Sequence, residues 1–131
     1  MIVLDASALV ELLLDTPAGR RVSMLLEDPA VAVHAPHLID VETISVLRRF
    51  TRERVIDADE AESAIEGLLA LDLQRHSHEG LLERSWQLKE NMTAYDAVYV
   101  ALAEALDAPL ITCDARLGRA SGTKIRIEVV K

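Results

Sequence analysis

The sequence predicts an α/β fold: a single three-layer α/β/α domain in which helices cover both faces of a mainly parallel central sheet. The chain has 131 residues, a length that suits one domain. Short apolar runs alternate with segments in which apolar residues recur at helical spacing. Strands that alternate with helices form parallel sheets, because each crossover needs a helix-length connection. Neither a linker nor an internal repeat interrupts the pattern, so we expect residues 1–131 to form one domain.

The first half of the chain predicts two strands and three helices. Each strand is a short apolar run, whereas the helices carry apolar residues at spacings of three and four. The predicted order is strand 2–4, helix 8–13, helix 18–26, strand 31–34 and a helix from Pro36 to Phe50. Pro36 is placed in the first helical turn because proline lacks the amide proton that such a turn leaves unpaired.

The second half predicts three strands and four helices. The predicted order is helix 57–71, strand 71–75, helix 79–89, helix 93–106, strand 110–112, helix 115–119 and strand 125–130. The helix over 93–106 consists almost entirely of small and aliphatic residues, so it should be buried on several sides. The last strand alternates aliphatic and charged residues, which is typical of the edge of a sheet.

The composition restricts the core and the class of protein. Half of the residues are apolar and 3% are aromatic, so the core must be aliphatic. Cys113 is the one cysteine, which excludes an internal disulfide and a zinc site built from several cysteines. The apolar N-terminus has no basic leader and contains Asp5 and Glu11, which argues against a signal peptide or a membrane span. We therefore expect a cytoplasmic protein with no membrane partner.

Two aspartates directly follow predicted strands. Asp5 comes after the first strand, and Asp114 comes after Cys113 at the end of the fourth. Sites in parallel α/β sheets form beyond the carboxyl ends of the strands, which is where both aspartates stand. Each of them could also be a simple cap that accepts a backbone N–H from the helix that follows.

Two further acids lie on predicted helices. Glu42 stands in an apolar stretch, where an ionised carboxylate needs a partner. That partner is either a metal ion or an arginine such as Arg49, which lies two turns further along the same helix. Asp96 follows Thr93 by three residues at the start of a very apolar helix, a spacing that also resembles a capping box.

Together, the four acids Asp5, Glu42, Asp96 and Asp114 predict a metal site. Clustered carboxylates repel one another, so such a cluster needs bound protons or a cation to persist at neutral pH. Oxygen ligands without a cysteine or histidine cluster favour the hard ions Mg²⁺ or Mn²⁺. A site of this kind can polarise a phosphodiester and activate water.

Four segments carry a resemblance to a known family. They are IVLDASAL at 2–9, APHLIDVE at 35–42, TAYDAVYVALA at 93–103 and LITCDARL at 110–117. In this order and spacing they resemble the PIN-domain nucleases and, within them, the VapC toxins of bacterial toxin–antitoxin pairs. The resemblance covers essentially the whole chain and implies a PIN-like nuclease domain over 1–131, with a parallel sheet flanked by helices.

The resemblance also implies a chemistry. The family members are Mg²⁺- or Mn²⁺-dependent endoribonucleases, and those of the toxin branch commonly cleave tRNA or rRNA. By this resemblance, Asp5, Asp96 and Asp114 bind the metal, and Glu42 holds or orients the attacking water.

Further implications concern supporting residues and partners. Ser7 and Thr112 fall where the family often has a hydroxyl that supports the metal site. Family members are usually homodimers and are neutralised by a VapB-like antitoxin, whose C-terminal segment fills the acidic groove. The resemblance therefore implies two partners, an RNA substrate and an antitoxin protein.

The net charge of −8 argues at first sight against nucleic acid, but local charge decides binding. Arg49 lies near Glu42 on its helix, and Arg116 and Arg119 closely follow Asp114. We expect these three arginines to contact RNA phosphates. The alternative is that the arginines only line solvated helix faces.

Two other functions fit parts of the sequence. An aspartate-based phosphotransfer protein would use Asp5 or Asp114, but it would want a second acid where Ser7 stands. A catalytically silent module of the same fold would bind a partner or RNA without cleaving it. Trp86, Tyr95 and Tyr99 are interpreted as packing residues rather than base-stacking ones.

Overall fold

The computed structural model describes residues 1–131 and contains one five-stranded, all-parallel sheet. The strands are β1 (Ile2–Leu4), β2 (Val33–Pro36), β3 (Leu73–His76), β4 (Leu110–Thr112) and β5 (Ile127–Val129), in the spatial order β3-β2-β1-β4-β5. The chain therefore winds outward from β1 in one direction and then, from β4, in the other. The crevice between β1 and β4 is the switch point where such sheets place their ligands.

Seven helices cover the two faces of this sheet. They are α1 (Ala6–Leu13), α2 (Pro17–Leu25), α3 (Leu38–Arg52), α4 (Ala58–Ala70), α5 (Leu82–Gln87), α6 (Ala94–Leu106) and α7 (Ala115–Gly118). The first four pack against one another, whereas α6 packs on α5 and on β1, β2 and β4. The prediction of a three-layer domain with a mainly parallel sheet is confirmed. None of the helices combines the length and the apolar composition that crossing a bilayer requires.

The core is aliphatic, as the composition predicts. Every residue of β1, β2 and β4 is buried, because helices cover both faces of the central strands. In α6 the seven residues from Ala97 to Ala103 are buried in succession. This helix can be surrounded on nearly all sides because its side chains are small. Its burial fixes the position of whatever side chains stand at its N-terminal end.

The prediction for Pro36 is wrong. Pro36 is the last residue of β2, and α3 begins at Leu38. Strand β1 pairs with Val33 and His34 only, so the sheet needs no amide proton from Pro36. The amide of Leu38, in the first turn of α3, donates to Nε2 of His78 at 3.0 Å. The proline thus ends the strand instead of starting the helix.

The remaining differences concern where elements begin and end. β2 and β3 are shifted toward the C-terminus by one or two residues relative to the predicted strands, and β5 is shorter than predicted. The helix predicted over 79–89 is a 3-10 turn at Glu79–Leu81 followed by α5, which ends at Gln87. Every predicted strand and helix nevertheless exists, and β5 lies at the edge of the sheet.

Candidate active site

A cavity of about 490 Å³ opens at the carboxyl ends of β1 and β4. All four predicted acids line it: Asp5, Glu42, Asp96 and Asp114. They come from four separate stretches of the chain, namely the ends of two strands and the helices α3 and α6. In the sequence, each acid alone could be explained by a structural role, as a helix cap or as the partner of an arginine. The fold brings them into one cavity at the switch point of the sheet.

Asp5 is the most buried of the four acids, with 6% of its surface exposed. Its Oδ1 accepts hydrogen bonds from the Ala8 amide at 3.0 Å and from the Ser7 hydroxyl at 2.7 Å, and its Oδ2 accepts one from Thr112. Burial raises the pKa of Asp5 above its usual value, and the hydrogen bonds from Thr112, Ala8 and Ser7 oppose that shift. Asp5 therefore caps α1 and also stands in the cavity.

The hydroxyls of Ser7 and Thr112, which both donate to Asp5, connect the ends of β1 and β4. Ser7 Oγ accepts a hydrogen bond from the Cys113 amide at 2.9 Å, and Thr112 Oγ1 accepts one from the Asp114 amide at 3.0 Å. Residues 105 or more positions apart in sequence are thus joined through two small side chains. This network fixes the turn after β1 relative to the turn after β4, and so fixes Asp5 relative to Asp114.

Asp114 caps the short helix α7 and pairs with an arginine. Its Oδ1 accepts from the Arg116 amide at 2.9 Å, and its Oδ2 accepts from the Arg116 guanidinium at 2.8 Å. Burial alone would raise the pKa of Asp114, but the hydrogen bonds and the charge of Arg116 outweigh it, so the pKa lies below its usual value. The side chain of Arg116 is 77% exposed and can move without disturbing the core.

Glu42 pairs with a tyrosine and not with Arg49. Tyr99 donates its hydroxyl to Glu42 Oε1 at 2.5 Å. Burial raises the pKa of Glu42, the hydrogen bond from Tyr99 lowers it, and the charges of Asp96 and Asp5 raise it further. The balance leaves the pKa of Glu42 above its usual value.

Asp96 stands in the first turn of α6, where the Thr93 hydroxyl accepts its amide at 3.1 Å. Burial and then the charge of Asp114 raise the pKa of Asp96, and the charge of Arg116 opposes that shift. Its carboxylate makes no ion pair within 4.0 Å, as the salt bridges of the chain all involve other acids. A hydrogen bond with the Thr93 side chain also opposes the rise of this pKa, so Asp96, like Asp5 and Glu42, stands in the cavity without an ion pair.

The donor chemistry of the cavity fits a hard divalent cation. Its carboxylates raise one another's pKa, because their negative charges are close enough to repel one another. No three acidic, histidine or cysteine side chains already stand within ligating reach of one point. Asp5, Asp96 and Asp114 are the lining carboxylates that could hold such an ion. Carboxylate oxygens are the ligands that Mg²⁺ and Mn²⁺ prefer.

The predicted arginines are not all at the cavity. Arg49 and Arg116 line it, on α3 and α7 respectively, whereas Arg119 is exposed beyond the end of α7 and does not line it. The guanidinium of Arg49 also lies 5.4 Å from the ring centroid of Phe50, another lining residue. Two positive groups therefore stand at the rim of an acidic cavity.

Among the lining residues, Glu11 and Tyr99 were not predicted from the sequence to belong to the site. Glu11, on α1, adds a fifth carboxylate and accepts a hydrogen bond from Thr16. Its position one turn after Ser7 was the available signal. Tyr99 was interpreted as packing: it is 2% exposed, but its hydroxyl reaches Glu42. The packing interpretation is wrong for Trp86 and Tyr95, which are 69% and 63% exposed.

Comparisons with known proteins agree with this architecture. A family model described as the PIN domain matches residues 2–122. Ribonuclease VapC12 of Mycobacterium tuberculosis is 43% identical over 130 residues, which is 99% of each chain. Ribonuclease VapC1 of the same species is 41% identical over 98% of this chain and 97% of its own.

Two solved structures share the fold at lower identity. Mycobacterium tuberculosis VapC20, described as a sarcin-ricin-loop-cleaving toxin, superposes with a TM-score of 0.70 at 15% identity over 100% of both chains. VapBC2 of Rickettsia felis, solved bound to a DNA fragment from its promoter, gives a TM-score of 0.70 at 14% identity over 100% of both chains. The chain belongs to the PIN-domain family, and within it to the VapC branch.

Proposed function

We propose that this protein is a divalent-metal-dependent endoribonuclease, the toxin of a toxin–antitoxin pair. The observation that carries the proposal is the convergence of Asp5, Glu42, Asp96 and Asp114 in one cavity at the switch point of the sheet. The names of the relatives VapC12 and VapC1, both called ribonucleases, support it.

Asp5, Asp96 and Asp114 are the residues that would hold Mg²⁺ or Mn²⁺. When bound, such an ion supplies Lewis-acid polarisation of the phosphate and lowers the pKa of water. Asp5 is held rigid by three hydrogen bonds, whereas Asp96 forms no ion pair that a cation would have to displace. For Asp114 to serve as a ligand, the guanidinium of Arg116 must move aside, and its exposure makes that movement easy.

Glu42 is the residue that orients the attacking water in this proposal. Its Oε1 is engaged by Tyr99, which leaves Oε2 to accept a hydrogen bond from water. The raised pKa of Glu42 brings it closer to the range in which a carboxylate can accept a proton at neutral pH. Arg49 and Arg116 at the rim would bind the phosphates that flank the cleaved bond, and Arg119 would extend this contact outward.

Ser7 and Thr112 act through Asp5 in this mechanism. Their hydroxyls donate to its two oxygens and in turn accept the amides of Cys113 and Asp114. Each hydroxyl therefore fixes the direction in which the lone pairs of Asp5 face the cavity. Loss of such outer hydrogen bonds commonly costs 10-fold to 100-fold in metal affinity or activity.

The substrate and partners follow from the same proposal. VapC20 is named as a toxin that cleaves the sarcin-ricin loop, so structured RNA, either rRNA or tRNA, is the substrate class that we propose. The VapBC2 structure supports a VapB-like antitoxin as protein partner. A homodimer and a cytoplasmic location, where such RNA is found, complete the proposal.

The phosphotransfer alternative fits the site less well. A phosphotransfer hydrolase of that type needs a second acid two residues after the phosphorylated aspartate, and that position holds Ser7, which donates a hydrogen bond to Asp5. A catalytically silent module remains the alternative that an activity assay decides.

The test is cleavage of a structured RNA by the purified chain with Mn²⁺ or Mg²⁺, with and without EDTA. We expect cleavage that requires the ion and is lost in Asp5→Asn. The control is Glu62→Gln, which removes one exposed carboxylate on α4 outside the cavity and should cleave normally. Cleavage that persists in EDTA or in Asp5→Asn would overturn the proposal. Absence of cleavage in the wild type would favour the silent module.

A further inference from the structure

Tyr99 carries a polar group into the deepest part of the molecule. It is among the largest fully buried side chains, with 2% of its surface exposed, and it lies on α6 one turn after Asp96. A buried tyrosine hydroxyl must find a hydrogen-bond partner, because leaving it unpaired costs about 1–3 kcal/mol. The partner that it finds is a carboxylate of the acidic cavity, Glu42.

The contact joins two helices that do not follow each other in the chain. Glu42 is on α3, which packs with α1, α4 and β2, and Tyr99 is on α6, which packs with α5 and with β1, β2 and β4. Their hydrogen bond of 2.5 Å spans 57 residues of sequence. Because Tyr99 packs in the core and only 2% of its surface is exposed, its hydroxyl has a fixed position at the wall of the cavity, and it fixes one oxygen of Glu42.

The proton of this hydrogen bond stays on Tyr99. Burial, the hydrogen bond to Glu42 and the charges of Glu42, Asp5 and Asp96 all raise the pKa of Tyr99. The hydroxyl is therefore a permanent donor and Glu42 Oε1 a permanent acceptor. Glu42 is then held through Oε1, while Oε2 accepts no hydrogen bond within the chain, and both Glu42 and Tyr99 line the cavity.

We propose that Tyr99 is a positioning residue that acts through Glu42, holding its carboxylate in the orientation needed for attack on RNA. This inference rests on the proposed ribonuclease function. Glu42 has no other polar partner in the chain, since neither Arg49 nor any other cation lies within 4.0 Å of it. Without the hydroxyl, the glutamate side chain on α3 would be free to rotate.

The test compares four variants of the full chain in a structured-RNA cleavage assay with Mn²⁺: Tyr99→Phe, Glu42→Gln, the double variant and Tyr95→Phe. Tyr99→Phe removes one oxygen and keeps the ring. Tyr95→Phe is the matched control, because it removes a hydroxyl from the same helix at a residue that is 63% exposed. We expect Tyr99→Phe to lower kcat about 10-fold to 100-fold and to leave KM within about twofold, since Glu42 acts on the attack and not on RNA binding. Tyr95→Phe should match the wild type.

The double variant separates positioning from packing. If Tyr99 acts only through Glu42, then Tyr99→Phe should cause no further loss of kcat in the Glu42→Gln background. Losses that multiply, a change confined to KM, or a wild-type kcat in Tyr99→Phe would each overturn the inference and leave the proposed function intact. A wild type that cleaves no RNA would overturn both. Thermal unfolding of the same proteins is the second measurement. If the losses of stability for Tyr99→Phe and Glu42→Gln add in the double variant, then the two side chains do not interact, and the inference is overturned.

Discussion

Two substitutions of Asp5 should differ in their effect on stability, although both abolish cleavage. Asp5→Asn and Asp5→Ala each remove the buried charge, so their comparison cancels its electrostatic cost. They differ in hydrogen bonding. Asparagine keeps an Oδ1 that can cap α1 by accepting the Ala8 amide, whereas alanine leaves Ala8, Ser7 and Thr112 without their acceptor.

The size of the difference follows from these contacts. Loss of an N-cap acceptor costs about 1 kcal/mol. Ser7 and Thr112 lie 3.1 Å apart and can satisfy each other in part, so we count one unpaired hydroxyl at about 1–2 kcal/mol. Asp5→Ala should therefore be about 2–3 kcal/mol less stable than Asp5→Asn. With an unfolding entropy of about 2.1 cal/mol/K per residue, this difference corresponds to a Tm lower by about 7–11 °C for the 131-residue chain.

The assay is thermal or urea unfolding in EDTA at neutral pH, with wild type and both variants side by side. Asp5→Asn should be as stable as the wild type or more so, because burial raises the pKa of Asp5 and the ionised form is therefore costly. Equal Tm values for Asp5→Ala and Asp5→Asn would mean that the hydroxyl network around Asp5 contributes nothing. That result would refute the reasoning about how the cavity is held together.

Three further predictions concern protons, cations and RNA. Because the pKa of Asp5 is raised in the folded protein, protonation of Asp5 stabilises the folded wild type at low pH, and this contribution is lost as the pH rises through the raised pKa. The gain in unfolding free energy of Asp5→Asn over the wild type, measured in urea, should therefore be smallest near pH ~4 and grow toward neutrality. A gain that does not change with pH would contradict this. Mn²⁺ at about 100 times its Kd should stabilise the wild type by about 2.7 kcal/mol but stabilise Asp96→Asn much less, with Glu62→Gln as the variant that should behave like wild type in the same thermal scan. Charge reversal in Arg116→Glu should weaken RNA binding in filter-binding titrations on an Asp5→Asn background and make its salt dependence less steep by about one ion. The control is Arg20→Glu, at an exposed arginine that does not line the cavity, and equal affinities for the two variants would remove Arg116 from the RNA site.

Much of the fold could be predicted because its signals are local. The alternation of short apolar runs with helical periodicity identifies every strand and helix, and the mostly small and aliphatic residues of α6 predict its burial correctly. The end of β2 could not be predicted, because Pro36 suits a helix start and a strand end equally well. What decides between them is the pairing of Pro36, which lies opposite His76 of β3 and has no partner on β1.

The site shows the same division. The convergence of Asp5 and Asp114 could be predicted, since the carboxyl ends of parallel strands meet at one edge. The partner of Glu42 could not, because the sequence offers Arg49 on the same helix, and the true partner Tyr99 lies 57 residues away. In the sequence, Tyr99 has the pattern of a core aromatic residue. Hydrophobic periodicity does not show that its hydroxyl binds a residue so distant in the chain. Glu11 was missed for a similar reason, since its helix position alone does not show that it borders the cavity.

The central claim is that these carboxylates hold a hard divalent cation at the switch point between β1 and β4. The most direct measurement is diffraction from crystals grown or soaked with Mn²⁺, with anomalous data collected near the manganese absorption edge. The account predicts an anomalous peak inside the cavity, with carboxylate oxygens from among Asp5, Asp96 and Asp114 directly bound or bridged by one water. A cavity without a peak at saturating Mn²⁺, or a peak that lies elsewhere on the molecule, would contradict it.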